Sequence, residues 1–473
     1  MDGLQLDGLS SGMPTQQIID KLMRYERMPM QSLEKNKSEL QTQKDAWRDV
    51  NSRLDSLEDK LTQLKLSSTF DSYKATSSDE NVVTASASTE AGNGSYVVTV
   101  NQLAQKHRVY ATNSVVEDNQ LTDELTPNDF TGSIDINGSS ITVESDETLS
   151  SLKTKINEAE TGATATIVDG HLVLESNETG DTNSISITDN TTNSLMTELS
   201  LDGNLQDDNN SSVLQLAQDA QIDINGISGI TSSDNTFDQA VDGVTFNISS
   251  SANTNESATI TVNRDTESAT SAIQGFVDQY NSVMDFITTK TDYDQETDKA
   301  GTLQGDTTLS RIQMRVRTLL TDKVDSSGDY NQLATVGITI DRDGVMSFDS
   351  GKFTDALESS PEEVKNLFKA ESDDAGFDGV ATRLDGYLDQ LLQSNTGTIP
   401  NRMDYYDNQI ERVEEDITDL ERELENTRQR YVEQFTSMEQ SIAKMQQQQS
   451  WMMSQLQGMG SSGGTSSLLS SMM

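Results

Sequence analysis

The chain has no cysteine among its 473 residues. That excludes disulfides, thiol catalysis and thiolate metal sites. Histidine is almost as scarce: His107 and His171 are the only two and lie far apart, so neither a histidine metal site nor a Ser-His triad is expected. Only 33% of residues are hydrophobic and 5% aromatic, too few for one compact globule of this length, so elongation, small cores or disordered ends are implied. No apolar run approaches membrane-spanning length. The N-terminus shows no basic segment followed by an apolar core, so no cleavable secretion signal is expected and a cytoplasmic location is the default. Positive charge is also short: 33 Lys and Arg stand against 78 Asp and Glu, a net charge of −45. Such a surface argues against nucleic acid and against anionic membranes as partners. Residues 111–263 hold 26 acidic residues against Lys153 and Lys155 alone. Copies of this chain should repel one another unless salt screens them.

What is present begins with heptads. Over residues 400–457 every first heptad position is apolar: Met403, Ile410, Ile417, Leu424, Tyr431, Met438, Met445 and Met452. Fourth positions are apolar early, at Tyr406, Val413 and Leu420, and polar later, from Thr427 to Gln455. A 3.5-residue repeat keeps one seam facing a partner helix. Pro400 suits the first turn and Gly458 the stop; at about 1.5 Å per residue the rod would span roughly 80 Å. The frame recurs near the other end with Leu33, Leu40, Trp47, Leu54 and Leu61 in one register and Val50, Leu57 and Leu64 in the other. Asn36 and Gln43 interrupt the second register, as buried amides that fix pairing would. The two stretches predict a paired helical stem carrying everything between them; two helices of a larger bundle are the alternative.

Ahead of this stem, Pro14 opens a short helix with Ile18, Ile19, Leu22 and Met23 on one face, which Pro29 ends or kinks. From Tyr73 the period falls to two. Residues 81–87 and 96–100 are β-rich runs flanking Gly92-Asn93-Gly94, which predicts a hairpin. The pentapeptide Ile134-Asp135-Ile136-Asn137-Gly138 returns intact as Ile222-Asp223-Ile224-Asn225-Gly226, each a strand entering an Asn-Gly turn. This suggests a duplicated β module, with chance reuse of a common hairpin as the alternative. A helix over residues 149–159 and a hairpin around Asp169-Gly170 follow the first copy. Helical periodicity resumes at Thr266 and continues through residues 309–320, a strand pair turning at Asp343-Gly344, and further helices.

Catalytic patterns are missing. Asp292, Asp294 and Glu296 begin like a calcium loop, but Thr297 replaces the required glycine and Leu303 the bidentate acid. There is no phosphate-cradling glycine loop and no nucleophile elbow. No catalytic residue, metal site or cofactor is expected.

Three segments together resemble one family. They are Gly8-Leu-Ser-Ser-Gly-Met-Pro-Thr with Ile18-Ile-Asp-Lys-Leu-Met and Glu26-Arg-Met-Pro29; Ile260-Thr-Val-Asn-Arg-Asp265 with Gly275-Phe-Val-Asp-Gln-Tyr-Asn281 and Leu303-Gln-Gly-Asp306; and Leu333-Ala-Thr-Val-Gly-Ile338 through Asp343-Gly-Val-Met-Ser-Phe-Asp349 to Pro361-Glu-Glu-Val-Lys-Asn-Leu-Phe368. In this order they resemble flagellar hook-associated protein 2, the filament cap family, over roughly residues 1–110 and 240–455. The resemblance implies an extracellular protein at the tip of the bacterial flagellum, exported through the flagellar type III apparatus. It implies a ring of about five copies that retains flagellin and promotes its polymerisation. Flagellin, the hook-associated junction proteins and an export chaperone are the implied partners.

The expected fold class is α+β, multidomain and elongated: an antiparallel coiled-coil stem from both chain ends carrying nested β-rich domains. Tails at residues 1–13 and 458–473 would enclose a stem half over 14–75, a β-rich domain split between 76–130 and 230–265, an inserted head over 131–229, and a helical leg over 266–457. The stem seam would comprise Leu33, Leu40, Trp47, Leu54, Leu61, Ile410, Ile417, Leu420 and Leu424. Leu4, Leu6, Leu9, Leu468, Leu469 and Met472 would dock disordered tails on filament subunits. An adhesin binding surface glycans through residues 111–229 is the rival function.

Overall fold

Both heptad stretches are helical in the computed structural model, which describes residues 12–114, 116–117, 120–121, 130–145, 147–294, 299–325, 328–371 and 378–460. The fold is α+β and multidomain. Its contacts separate two units, one within Met1–Lys65, Gln274–Asp349 and Asn366–Met473, the other Leu66–Ile273 with Ser350–Lys365.

The first unit is helical. Thr15–Glu26 is followed, after Arg27, by Met28–Lys65. Pro29 falls in the first turn of this second helix, where its missing N–H leaves no bond unmade. The C-terminal helix runs Thr398–Gly460, with Pro400 in its first turn and no stop at Gly458. The ion pairs Lys37–Glu414, at 2.7 Å, and Lys44–Asp407 show the two long helices running antiparallel.

The seam is not one continuous pairing. Trp47, Val50, Leu54, Leu57, Leu61 and Leu64 are almost wholly buried, whereas Leu33 and Leu40 are half-buried. Past Trp47 the neighbours change. Gln279 donates to the Arg53 carbonyl at 2.8 Å, and Lys65 pairs at 2.5 Å with Asp385 of the helix Val380–Leu392. Leu54 and Leu61 thus lie on the part of the helix that faces a bundle. Asn36, expected as a buried amide, is exposed, and Gln43 is half-buried.

On the C-terminal helix Ile410, Val413 and Leu424 are buried and Ile417 and Leu420 half-buried. Ile19 and Met23 pack on Leu424, flanked by Leu420, Tyr431 and Phe435. The expected seam fails beyond this point: Met445 and Met452 are 60% and 57% exposed, because no described helix runs alongside them.

The second unit contains two β cores. In the first, a five-stranded sheet in the order Tyr73–Ser77, Ser257–Arg264, Gly94–Gln102, Ala220–Ile224, Ile227–Ser232 shares its apolar interior with a three-stranded sheet, Thr236–Val241, Val244–Ile248, Val83–Ala87. The hairpin expected across Gly92-Asn93-Gly94 is therefore absent. Val83–Ala87 and Gly94–Gln102 enter different sheets, and Asn93 instead accepts a hydrogen bond from the Arg264 N–H at 3.0 Å.

The second core lies within the first in sequence. Its four-stranded sheet runs Val213–Gln215, Lys106–Tyr110, His171–Thr179, Ala163–Val168, and its three-stranded sheet Ile187–Asp189, Gly132–Ile136, Ser139–Val143. The helix Leu149–Glu158 covers one side through Leu149, Leu152 and Ile156, its start capped by Thr148. On the outer strand of the larger sheet, Ala165 donates to Asn157 Oδ1 at 2.7 Å and accepts from Asn157 Nδ2 at 3.0 Å. These strands reach back to Lys106 and end by Gln215, so the insertion begins and ends earlier than residues 131–229.

That shift separates the two pentapeptides. The first is in the inserted core and the second in the enclosing five-stranded sheet. Both make two-residue turns with left-handed asparagine and glycine, φ 51° and 86° at Asn137-Gly138, 51° and 83° at Asn225-Gly226. Their asparagines repeat one contact. Asn137 exchanges its N–H and Oδ1 with the carbonyl and N–H of Ser186, and Asn225 does so with Val97. Buried Ile134 and Ile136 correspond to Ile222 and Ile224.

Candidate assembly surfaces

Within the first unit, the antiparallel pair is anchored where the C-terminal helix begins. Arg402 Nη2 lies 2.8 Å from Asp306 Oδ2, and its guanidinium stands over Trp47, Tyr405 and Tyr406 at 5.8, 5.3 and 5.7 Å. Asp306 also caps the helix Thr307–Thr321, accepting from Thr308 at 2.8 Å. Burial pulls the Arg402 pKa down, but the bond and charge of Asp306 outweigh it and raise the pKa above its usual value. Of these residues only Trp47 and Tyr406 carried a heptad signal. Further along, Tyr431 Oη donates to Glu26 at 3.0 Å.

The last described turns of the C-terminal helix expose Met445, Trp451, Met452, Met453 and Leu456. Leu4, Leu6, Leu9, Leu468, Leu469 and Met472, expected to dock on the filament, lie outside the described residues.

The second unit has a groove of about 640 Å³ on the outer face of the inserted four-stranded sheet. Alternation in Lys106–Tyr110 sends Lys106, Arg108 and Tyr110 outward and His107 and Val109 inward. Arg108 holds Glu175 through Nε at 2.7 Å and Nη2 at 2.5 Å; Lys106 lies 3.7 Å from the same carboxylate. His171 stacks at a tilt on Tyr110, with centroids 6.0 Å apart, beside exposed Val168 and Leu214. Behind the sheet His107 is fully buried. Its Nδ1 accepts from Ile185 N–H at 2.7 Å, so its Nε2 donates to the Leu205 carbonyl at 2.9 Å, and burial lowers its pKa.

Among the described residues no group of three or more acids or histidines could hold a metal, and no helix is long and apolar enough to cross a membrane.

A family model describing the flagellar hook-associated protein 2 N-terminus matches residues 11–107, and one describing its C-terminus matches residues 217–447. The chain belongs to the flagellar hook-associated protein 2 family. Residues 108–216, matched by neither, hold nearly all of the inserted core. The A-type flagellar hook-associated protein 2 of Pseudomonas aeruginosa is 26% identical over 464 residues, 93% of this chain and 95% of that one. The flagellar hook-associated protein 2 of Escherichia coli K12 is 27% identical over 469 residues, 95% and 97% of the two chains. The fold is similar to the crystal structure of the D1-D2-D3 domains of the E. coli flagellar cap protein FliD, with a TM-score of 0.59 and 27% identity, covering 76% of this chain and 99% of that one.

Proposed function

We propose that this protein caps the distal end of the flagellar filament, retaining flagellin and promoting its polymerisation at the growing tip. The observation that carries the reading is the family match at both ends of the chain, joined to a fold like that of a flagellar cap protein. The protein acts outside the cell after export, as a ring of about five copies. Its partners are flagellin, the hook-associated junction proteins and an export chaperone. The work is structural: bundles and sheets position surfaces rather than reacting groups.

Deletion in the source bacterium tests this. Short or absent filaments with abundant monomeric flagellin in the medium are expected. Normal filaments without the protein would refute it.

A second reading, adhesion through the inserted module, is favoured by the groove that joins Arg108, Tyr110 and His171. Glycan-array binding that is lost in Tyr110→Ala would support it.

A further inference from the structure

The helix Thr307–Thr321 is basic in a strongly acidic chain. Arg311, Met314 and Arg315 are exposed on it, Met314 to 68%, and Arg317 is half-buried beside them. Arg317 donates to the Asp341 and Arg342 carbonyls of the neighbouring hairpin, the latter at 3.2 Å. That hairpin adds exposed Arg342 and Val345, the valine 53% exposed. Asp341 and Asp343 border the patch, yet Arg311, Arg315, Arg317 and Arg342 form no ion pair among the described residues. Arg311 donates to the Thr307 carbonyl at 3.3 Å. The positive field reaches inward: burial raises the pKa of Tyr387, and Arg315 and Arg311 pull it back. In so acidic a chain, four arginines without an ion pair among the described residues, set around an exposed Met and Val, make a surface suited to another molecule.

We infer that this arginine–methionine face docks the acidic β-rich segment, residues 111–263, of a second copy of the chain. Charge complementarity identifies the occupant: that segment carries 26 acids against two lysines, so every copy supplies both halves of a head-to-tail contact. Guanidinium groups are weakly hydrated and give up water readily to carboxylates, while Met314 and Val345 offer apolar area at the centre. The contact also offsets the repulsion between acidic copies, and salt screens the attraction and the repulsion alike. The inference rests on the ring in the proposed function.

The test uses the full chain. In Arg311→Glu/Arg315→Glu, sedimentation at one low ionic strength should show a midpoint concentration for self-association raised about tenfold or more. Helix content and melting should be unchanged, because both side chains are exposed. Arg311→Lys/Arg315→Lys keeps the charge and should assemble. Coupling mixed heavy- and light-isotope copies of it with a carbodiimide should give heavy–light cross-links from positions 311 or 315 to acids within 111–263. A wild-type oligomer unaffected by the double glutamate variant, or cross-links from 311 and 315 to other regions only, overturns this inference alone. A wild type that is monomeric at every concentration overturns the ring as well.

Discussion

The guanidinium of Arg402 stands 5.8 Å above the ring of Trp47, so one cation joins the start of the C-terminal helix to the middle of the N-terminal one. Trp47 is fully buried and also begins the stretch whose neighbours are other helices. Trp47→Ala should cost about 3–5 kcal/mol, the range for deleting a buried tryptophan. Urea unfolding followed by circular dichroism would check this; a loss under 1 kcal/mol, about the worth of an exposed cation–π contact alone, would show that the site is not a packing centre.

Leu54 and Leu420 should respond unequally to aspartate. Leu54 is wholly buried, and an unpaired carboxylate there should cost more than about 4 kcal/mol. Leu420 is half-buried, so its aspartate can reach water and should cost less than half as much. Thermal melts of the two variants decide the order. Equal losses would contradict the difference in burial between the two leucines.

His107 predicts acid sensitivity in the inserted core. Its folded pKa is lowered, so the unfolded state binds the proton more readily. Its contribution is complete above the unfolded value of about 6.5 and is lost progressively as pH falls below it. Differential scanning calorimetry from pH 8 to 5 should show wild type losing stability relative to His107→Gln. An unchanged difference between the two across that window would refute a neutral buried imidazole.

The paired asparagines give a matched test. Asn137→Ala and Asn225→Ala should each cost about 1–3 kcal/mol, through a left-handed backbone without its preferred residue and a lost Oδ1 acceptor. Aspartate at either place keeps the acceptor and should recover much of the loss. Unfolding by guanidinium would compare the four variants, and similar costs at both places would fit two copies of one hairpin.

Gly180, at φ 101°, closes the inserted sheet against Ser233 of the enclosing core; an added Cβ would meet the Ser233 carbonyl oxygen at 2.6 Å. Gly180→Ala should therefore cost about 1–3 kcal/mol, read as a lower melting temperature. An unchanged melt would mean that the two cores tolerate separation here.

Much of this was legible because periodicity reports burial. Trp47, Leu54 and Leu61 read as one stripe, and they are buried. Periodicity does not report the neighbour, which changes after Trp47 because Val380–Leu392 folds back there. Met445 and Met452 kept the repeat without a described helix to cover them. Both Ile-Asp-Ile-Asn-Gly segments read as strand and turn because asparagine and glycine accept the left-handed backbone. Their sheets depended on contacts more than a hundred residues away for Asn225, whose partner is Val97. Gly92-Asn93-Gly94 misled, since the same residues suit a crossing between sheets. At the assembly surfaces, Arg311 and Arg315 look like an ordinary solvated face until the absence of described ion pairs is seen. Lys106, Arg108 and Tyr110 alternate plainly, but their concave setting requires the strands at Ala163 and His171.

An open strand at the edge of a sheet is a hazard, because another chain can extend it. Asn157 meets that hazard by mimicking a peptide group across from Ala165, occupying both its donor and its acceptor. The outer strand of the inserted sheet is thereby closed to templated growth at that residue.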